Sequence, residues 1–172
     1  MTPPTTSRAR QLIETLQLQP HPEGGWYREV FRAPTPVQPA DHRGPRAALT
    51  SIYFLLEAGQ HSRWHQVLSD ELWVHLEGVP LTLWTADAAF RTAPAHVRLA
   101  PVDVHGGRPQ HVVPAGQWQA AQPVATHRAG DYTLAACAVA PGFDFADFTL
   151  MDAQGEVATA VRHHWPALAS FI

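Results

Sequence analysis

The feature that most constrains this chain is how often its apolar runs are interrupted. From residue 49 onward, short stretches rich in Val, Leu, Ile and aromatic residues are cut by Gly, Pro, Ser and Asp before any reaches helical length. β-branched and aromatic side chains fit a pleated surface, whereas Gly and Pro supply turn conformations and end regular structure. Strands are expected over 26–31, 50–56, 62–68, 71–77 and 81–85, with weaker ones over 97–99, 110–113, 118–121, 132–140 and 148–151. Sixteen prolines oppose long helices. The exceptions lie at the ends. Leu12, Ile13 and Leu16 at helical spacing predict a short amphipathic helix over 7–16, and 166–172 reads as a terminal helical turn. Residues 33–45, with four prolines, Asp41 and Gly44, read as a surface loop. Closely spaced short strands predict an all-β sandwich or barrel.

The chain has 172 residues, and no repeat or long linker divides it, so a single domain over 1–172 is expected, with a core over about 12–150 and a tail over 151–172. Hydrophobic residues at 45% and charged residues at 16% are a globular balance. A formal charge of −3 without a Lys/Arg run argues against a nucleic-acid partner, which needs a basic face to neutralise phosphates. No 18-residue apolar stretch is present to span a bilayer, so no membrane partner is expected. Met1-Thr2-Pro3-Pro4 lacks the apolar core of a signal peptide. The one cysteine, Cys137, sits in an apolar run as a small core residue and has no partner for an internal disulfide. A cytoplasmic location is the expectation.

Eleven histidines are too many to be all functional, but two lie in an informative pattern. In the stretch from Gly59 to Gly78, side chains alternate with period two along each predicted strand, so Arg63, His65 and Val67 share one face and Glu71, Trp73 and His75 share another. The Ser69-Asp70 turn folds the two strands into a hairpin. If His65 points into a barrel, Glu71 and His75 can point into the same barrel, beside tryptophan. Ser62 and Trp64 fall on the opposite face of a regular strand, where packing is their expected role.

The spacing Gly59-x5-His65-x5-Glu71-x6-Gly78 resembles the first cupin motif, with Val67 where that motif has its second histidine. Pro114-Ala-Gly116 followed by Gln119 resembles the second motif, with Gln119 in place of its histidine. Pro20-His-Pro-Glu23-Gly24-Gly25-Trp-Tyr27-Arg28, Ser62-Arg-Trp64-His65, Asp70-Glu71-Leu-Trp73 and Ala140-Pro-Gly-Phe143-Asp-Phe145 are similar, in the same order, to the single-domain cupin group catalogued as a domain of unknown function. The resemblance implies a double-stranded β-helix, that is a jelly-roll or cupin barrel, behind the short N-terminal helix, and pairing as a homodimer. Cupins run many chemistries, so the fold does not select one.

The resemblance also implies a four-ligand metal site, and the residues here weaken it. Val67 cannot ligate, and Gln119 offers a neutral amide oxygen. No cofactor is expected, although an adventitious divalent metal held by His65, Glu71 and Gln119 would be unsurprising. His65 and Glu71 instead suit acid–base work on a small polar ligand, sugar-like or nucleotide-linked, as in the metal-free epimerases of the superfamily. Glu23, Tyr27, Arg28, Trp73, His75 and Gln119 are the candidate ligand contacts, with Trp73 and Trp118 as aromatic lining and Arg28 as an anion clamp. Tyr53 and Tyr132 are further candidates for the pocket. Two other readings stay open: a binding module without turnover, and a metal-dependent oxygenase with a degenerate ligand set. His61-x3-His65 has the spacing of a helical zinc pair, but the strand pattern and the Ser at position 62 oppose that. His163 and His164 are expected in solvent.

Overall fold

The computed structural model describes residues 7–124 and 130–172. Met1, Thr2, Pro3 and Pro4, read above for a targeting signal, lie outside them. The elements in chain order are α1 (Arg8–Thr15), β1 (Gln19–Pro20), β2 (Trp26–Arg32), β3 (Pro36–Val37), β4 (Arg46–Ala47), β5 (Thr50–Glu57), β6 (Ser62–Val67), β7 (Asp70–Gly78), β8 (Leu81–Ala86), β9 (Ala95–Leu99), β10 (Gln110–Val113), β11 (Trp118–Pro123), β12 (Tyr132–Ala140), β13 (Phe148–Leu150) and α2 (Glu156–His164). Turns of 3-10 helix cover Phe145–Asp147 and Pro166–Phe171.

The strands form two facing antiparallel sheets, ordered β1-β2-β5-β12-β7-β10 and β13-β6-β11-β8-β9, with β3, inside the predicted loop, and β4, just after it, as a separate pair. This is the all-β jelly roll with a short N-terminal helix that the sequence implied. Phe54, Leu56, Trp73, Leu81, Leu83, Leu99, Val113 and Cys137 fill the space between the sheets. They sit at alternate positions because a strand sends successive side chains to opposite faces.

Helices cover parts of the outer faces. Ser7 caps α1 by accepting a hydrogen bond from the Arg10 N–H, and Ala9 and Leu12 pack on Leu55, Tyr132 and Leu134. The tail holds a helix that was not expected. The pair Ala158 and Val161 of α2 is fully buried against Trp64, Phe90 and Trp118, together with Met151 and Phe171. Its amphipathic signal is only two turns long. The residues that make it worth forming are on strands distant in sequence. Arg162, His163 and His164 occupy its last turn, where positive charge complements the helix dipole. No described helix is long and apolar enough to cross a membrane.

Candidate functional site

Between the sheets, at the side flanked by β2 and β13, lies a cavity of about 300 Å³. Its polar end is built from three parts of the fold. The first is the turn Pro20-His-Pro-Glu23-Gly24-Gly25. Gly24 has φ +116°, and a Cβ there would lie 2.3 Å from the His61 carbonyl oxygen. Gly25 has φ +69°, and its Cβ would meet the Leu55 oxygen at 2.6 Å. Only glycine permits both the left-handed backbone and the close approach. The Arg63 amide N–H donates to the Glu23 carbonyl at 2.9 Å and its guanidinium to the Pro22 carbonyl at 2.7 Å, so the turn is stitched to β6. His21 and Glu23 are thereby held inward, nearly without solvent contact.

The second stretch is β6. Against β11, Gln119 pairs with His65 but Ala121 pairs with Ser62, so two residues of β6, Arg63 and Trp64, oppose Ala120 alone. This β-bulge changes the alternation. Ser62 therefore shares the face of His65, against the expectation for a regular strand, while Trp64 points into the α2 cluster as expected. The Ser62 hydroxyl donates to Glu23 Oε1 at 2.9 Å.

The third stretch is β7 with its neighbour β11. Trp73 Nε1–H donates to Gln119 Oε1 at 2.9 Å, and Gln119 Nε2 donates to Glu71 Oε2 at 2.6 Å. An indole N–H can only donate, so it fixes which end of the Gln119 amide is oxygen and turns the NH₂ toward Glu71. The Cys137 thiol is also in hydrogen-bond contact with Glu71.

The geometry fixes the histidine tautomers. His65 Nδ1 lies 2.8 Å from the Arg63 carbonyl oxygen, which only accepts, so Nδ1 carries the hydrogen and Nε2 is bare. Nε2 lies 3.3 Å from Glu23 Oε2. His21 Nδ1 accepts from the Glu23 amide N–H at 3.3 Å and also lies 3.3 Å from the same Oε2. Burial drives every one of these groups toward its neutral form. It pushes His21 down to about 3 and lowers His65, while it raises Glu23 to about 8 and raises Glu71, the last partly offset by His65. Burial also raises the Cys137 thiol well above its usual range. The His–Glu contacts are accordingly close approaches between groups that burial pushes toward their neutral forms.

Aromatic rings wall the rest of the cavity. Tyr27 and Phe54 come from the six-stranded sheet, and Phe143, Phe145 and Phe148 from the segment around β13. His21 stacks near-parallel to Phe145 at 6.1 Å and meets Tyr27 edge-on at 4.5 Å, and His65 lies 5.4 Å from Phe148. The Phe145–Asp147 turn is anchored by Asp147, which is buried and accepts from both Arg43 (3.0 Å) and Arg46 (2.7 Å). Arg32, paired with Glu29 at 2.7 Å, and Asp144 also line the cavity.

The family described as "Cupin superfamily (DUF985)" matches residues 10–151. The chain belongs to this cupin family. Among solved structures, a protein of Shewanella oneidensis matches at 30% identity with a TM-score of 0.76, covering 96% of this chain and 94% of its own. A hypothetical protein from Leishmania major matches at 30% identity with a TM-score of 0.79, covering 94% of each. A cupin-2 domain of Rhodospirillum rubrum, at 16% identity and TM-score 0.54 over 90% of this chain and 85% of its own, shares the fold. No curated protein matches the chain.

Against the motifs that mark this cupin, the structure sorts the candidate residues. Glu23, Tyr27, His65 and Glu71 line one cavity. Gln119 and Trp73 stand behind Glu71 and hold it; Trp73 packs edge-on against Phe54 at 5.6 Å. Arg28 is turned away, because it follows Tyr27 on the strand and takes the opposite face; it binds the Leu16 carbonyl at 3.2 Å and Gln17 Oε1 at 2.7 Å at the end of α1. His75 shares the face of Glu71, but four residues of strand carry it about 13 Å along the barrel. There its Nε2 lies 3.2 Å from the Val79 carbonyl oxygen. Tyr53 packs beneath α1 and Tyr132 hydrogen-bonds Glu77. Trp118 packs in the α2 cluster and donates to the Ala88 carbonyl at 3.0 Å, so phenylalanines rather than tryptophans line the cavity. His21, Ser62 and the three phenylalanines were missed as site residues. Nothing local distinguishes His21 among eleven histidines except its place before the Glu-Gly-Gly turn.

The metal-ligand set of the superfamily does not fit these residues. Val67 is hydrocarbon, and the Gln119 oxygen is committed to the Trp73 N–H. Among the described residues, no group of three or more His, Cys, Asp or Glu side chains is arranged to hold a metal ion.

Proposed function

We propose that this cupin binds a small polar ligand, of sugar-like size, and moves a proton on it as an isomerase or epimerase. The observation that carries the reading is Glu71: a buried carboxyl, hydrogen-bonded by the Gln119 amide, in the wall of an aromatic-lined cavity. Burial raises its pKa above the usual carboxylate range, which makes the carboxylate a stronger base. The Gln119 N–H stabilises the anion without protonating it.

In the step, a C–H bond beside a carbonyl breaks. The proton passes to the Glu71 carboxylate, the electron pair moves onto the carbonyl oxygen as an enolate, and return of the proton to carbon restores the enzyme. Phenyl rings suit the C–H face of a sugar ring. A cavity of about 300 Å³ holds a monosaccharide-sized body.

The test is hydrogen exchange. Protein is incubated in D₂O with a panel of aldoses, ketoses and 2-oxo acids, and loss of the α-proton signal is followed by NMR. Exchange is expected with at least one member and is expected to fall about 100-fold in Glu71→Gln. Saturable binding of a panel member with no exchange would replace this reading with a binding module.

A further inference from the structure

Three features of the pocket converge on a residue outside the superfamily motifs. First, both nitrogens of His65 are engaged, Nδ1 with the Arg63 carbonyl and Nε2 with Glu23. His65 therefore presents no free nitrogen to a ligand. Second, Glu23 Oε2 lies 3.3 Å from two imidazole nitrogens, His21 Nδ1 and His65 Nε2, and both are bare by the hydrogen bonds just described. Lone pairs facing lone pairs at that distance in a dry site repel. One proton must lie among the three groups, and Oε1 is occupied as the acceptor of Ser62. Third, with Nδ1 an acceptor, the hydrogen of neutral His21 is on Nε2, which has no hydrogen-bond partner among the described residues while the ring lines the cavity. A side chain so nearly enclosed, ending in an unused donor, is a ligand contact.

We infer that His21 is the ligand-facing acid of this pocket, fed by Glu23, and that His65 is a positioning residue. The inference rests on the proton-transfer reading of the same cavity. The ligand class it selects is one with a hydrogen-bond-accepting oxygen, a carbonyl that becomes an enolate. As Glu71 removes the carbon-bound proton, His21 Nε2–H is donated to the enolate oxygen. Its Nδ1 gives up the hydrogen bond from the Glu23 amide N–H and takes the Glu23 carboxyl proton, so the O–H bond of Glu23 breaks as the N–H bond forms. The products are an enol, a protonated Glu71, a neutral His21 and a Glu23 carboxylate. No charge is created or lost, and reversal restores each group. His65, locked by the Arg63 carbonyl, keeps its bare Nε2 against Oε2 and holds the proton where His21 can reach it. Arg63 itself points away to the Pro22 carbonyl.

The test has two parts. Long-range ¹H–¹⁵N spectra of the uniformly labelled whole chain near neutral pH report each imidazole directly. The expected result is His21 as the Nε2–H tautomer and His65 as the Nδ1–H tautomer, both neutral. An imidazolium at His65, or a bare Nε2 at His21, overturns the relay. The second part measures D₂O exchange of the same aldoses, ketoses and 2-oxo acids with His21→Phe, which keeps the aromatic packing. At saturating probe the rate is expected to fall about 100-fold while KM changes little; a wild-type rate overturns the assignment. The predicted tautomers with no exchange in any panel member would sink the proton-transfer reading and leave the relay standing. Exchange with other tautomers would do the reverse.

Discussion

The single shared proton makes stability depend on pH in an unusual shape, and Glu23→Gln isolates its cause. Glu23 ionises near 4.5 in an unfolded chain but is pushed up to about 8 when folded. Between these values the unfolded state gains by ionising, so stability falls as pH rises. His21 works in the opposite sense: it titrates near 6.5 unfolded and about 3 folded, so stability falls as pH drops through that window. Between pH 4.5 and 6.5 both states hold one proton on these two groups and the slopes cancel. The wild-type contribution is therefore a plateau, with a falling limb above pH 6.5 and another below 4.5.

Glutamine keeps the shape, the donor and the acceptor but cannot titrate. One proton over the interval from pH 5.5 to pH 8 is worth about 3 kcal/mol. Urea unfolding of both proteins at these two pH values measures it. Glu23→Gln is expected to gain about 3 kcal/mol relative to wild type on going to pH 8, and to lose the acid-side plateau, its stability falling from pH 6.5 downward. A wild-type-to-variant difference that stays constant within about 0.5 kcal/mol across the interval would refute the trapped proton.

Further consequences can be measured singly. Gln119→Leu strands the Trp73 N–H and removes the donor to Glu71 in a dry core; a loss of about 2–4 kcal/mol in chemical denaturation is expected, against less than 1 if these bonds do not matter. Gly24→Ala forces a Cβ into the His61 carbonyl at a positive φ, so it is expected to lower the thermal midpoint and shift the His21 and Glu23 NMR signals, whereas Gly59→Ala, with nothing within 4 Å, is expected to leave those signals in place. Arg46→Met leaves the buried Asp147 with Arg43 alone. A cost of about 3 kcal/mol is expected, with faster proteolysis at Phe143–Asp147, where the aromatic wall is anchored.

The strands and the sheet faces were legible in the sequence because period-two alternation and Gly/Pro punctuation are local signals, and the spacing from Gly59 to Gly78 placed His65 and Glu71 on the correct elements. Tyr27 and Glu23 were legible from the Glu-Gly-Gly turn, whose glycines obey a local steric rule. What failed were inferences carried too far along an ideal strand. Arg28 and Tyr27 were assigned together although neighbours on a strand face opposite ways. His75 was assigned with Glu71 although strand rise separates them. Ser62 was sent to the wrong face by a bulge that exists only in the pairing with β11. Helix α2 gains its stability from Trp64, Phe90 and Trp118, none of them local to it. The residue types, the turns and the loss of the metal ligands were therefore set by the sequence itself. The meeting of His21, Glu23 and His65 around one proton was decided by tertiary structure, because it takes two segments distant in sequence and the exclusion of water around them to make those groups neutral and to choose which nitrogen is bare.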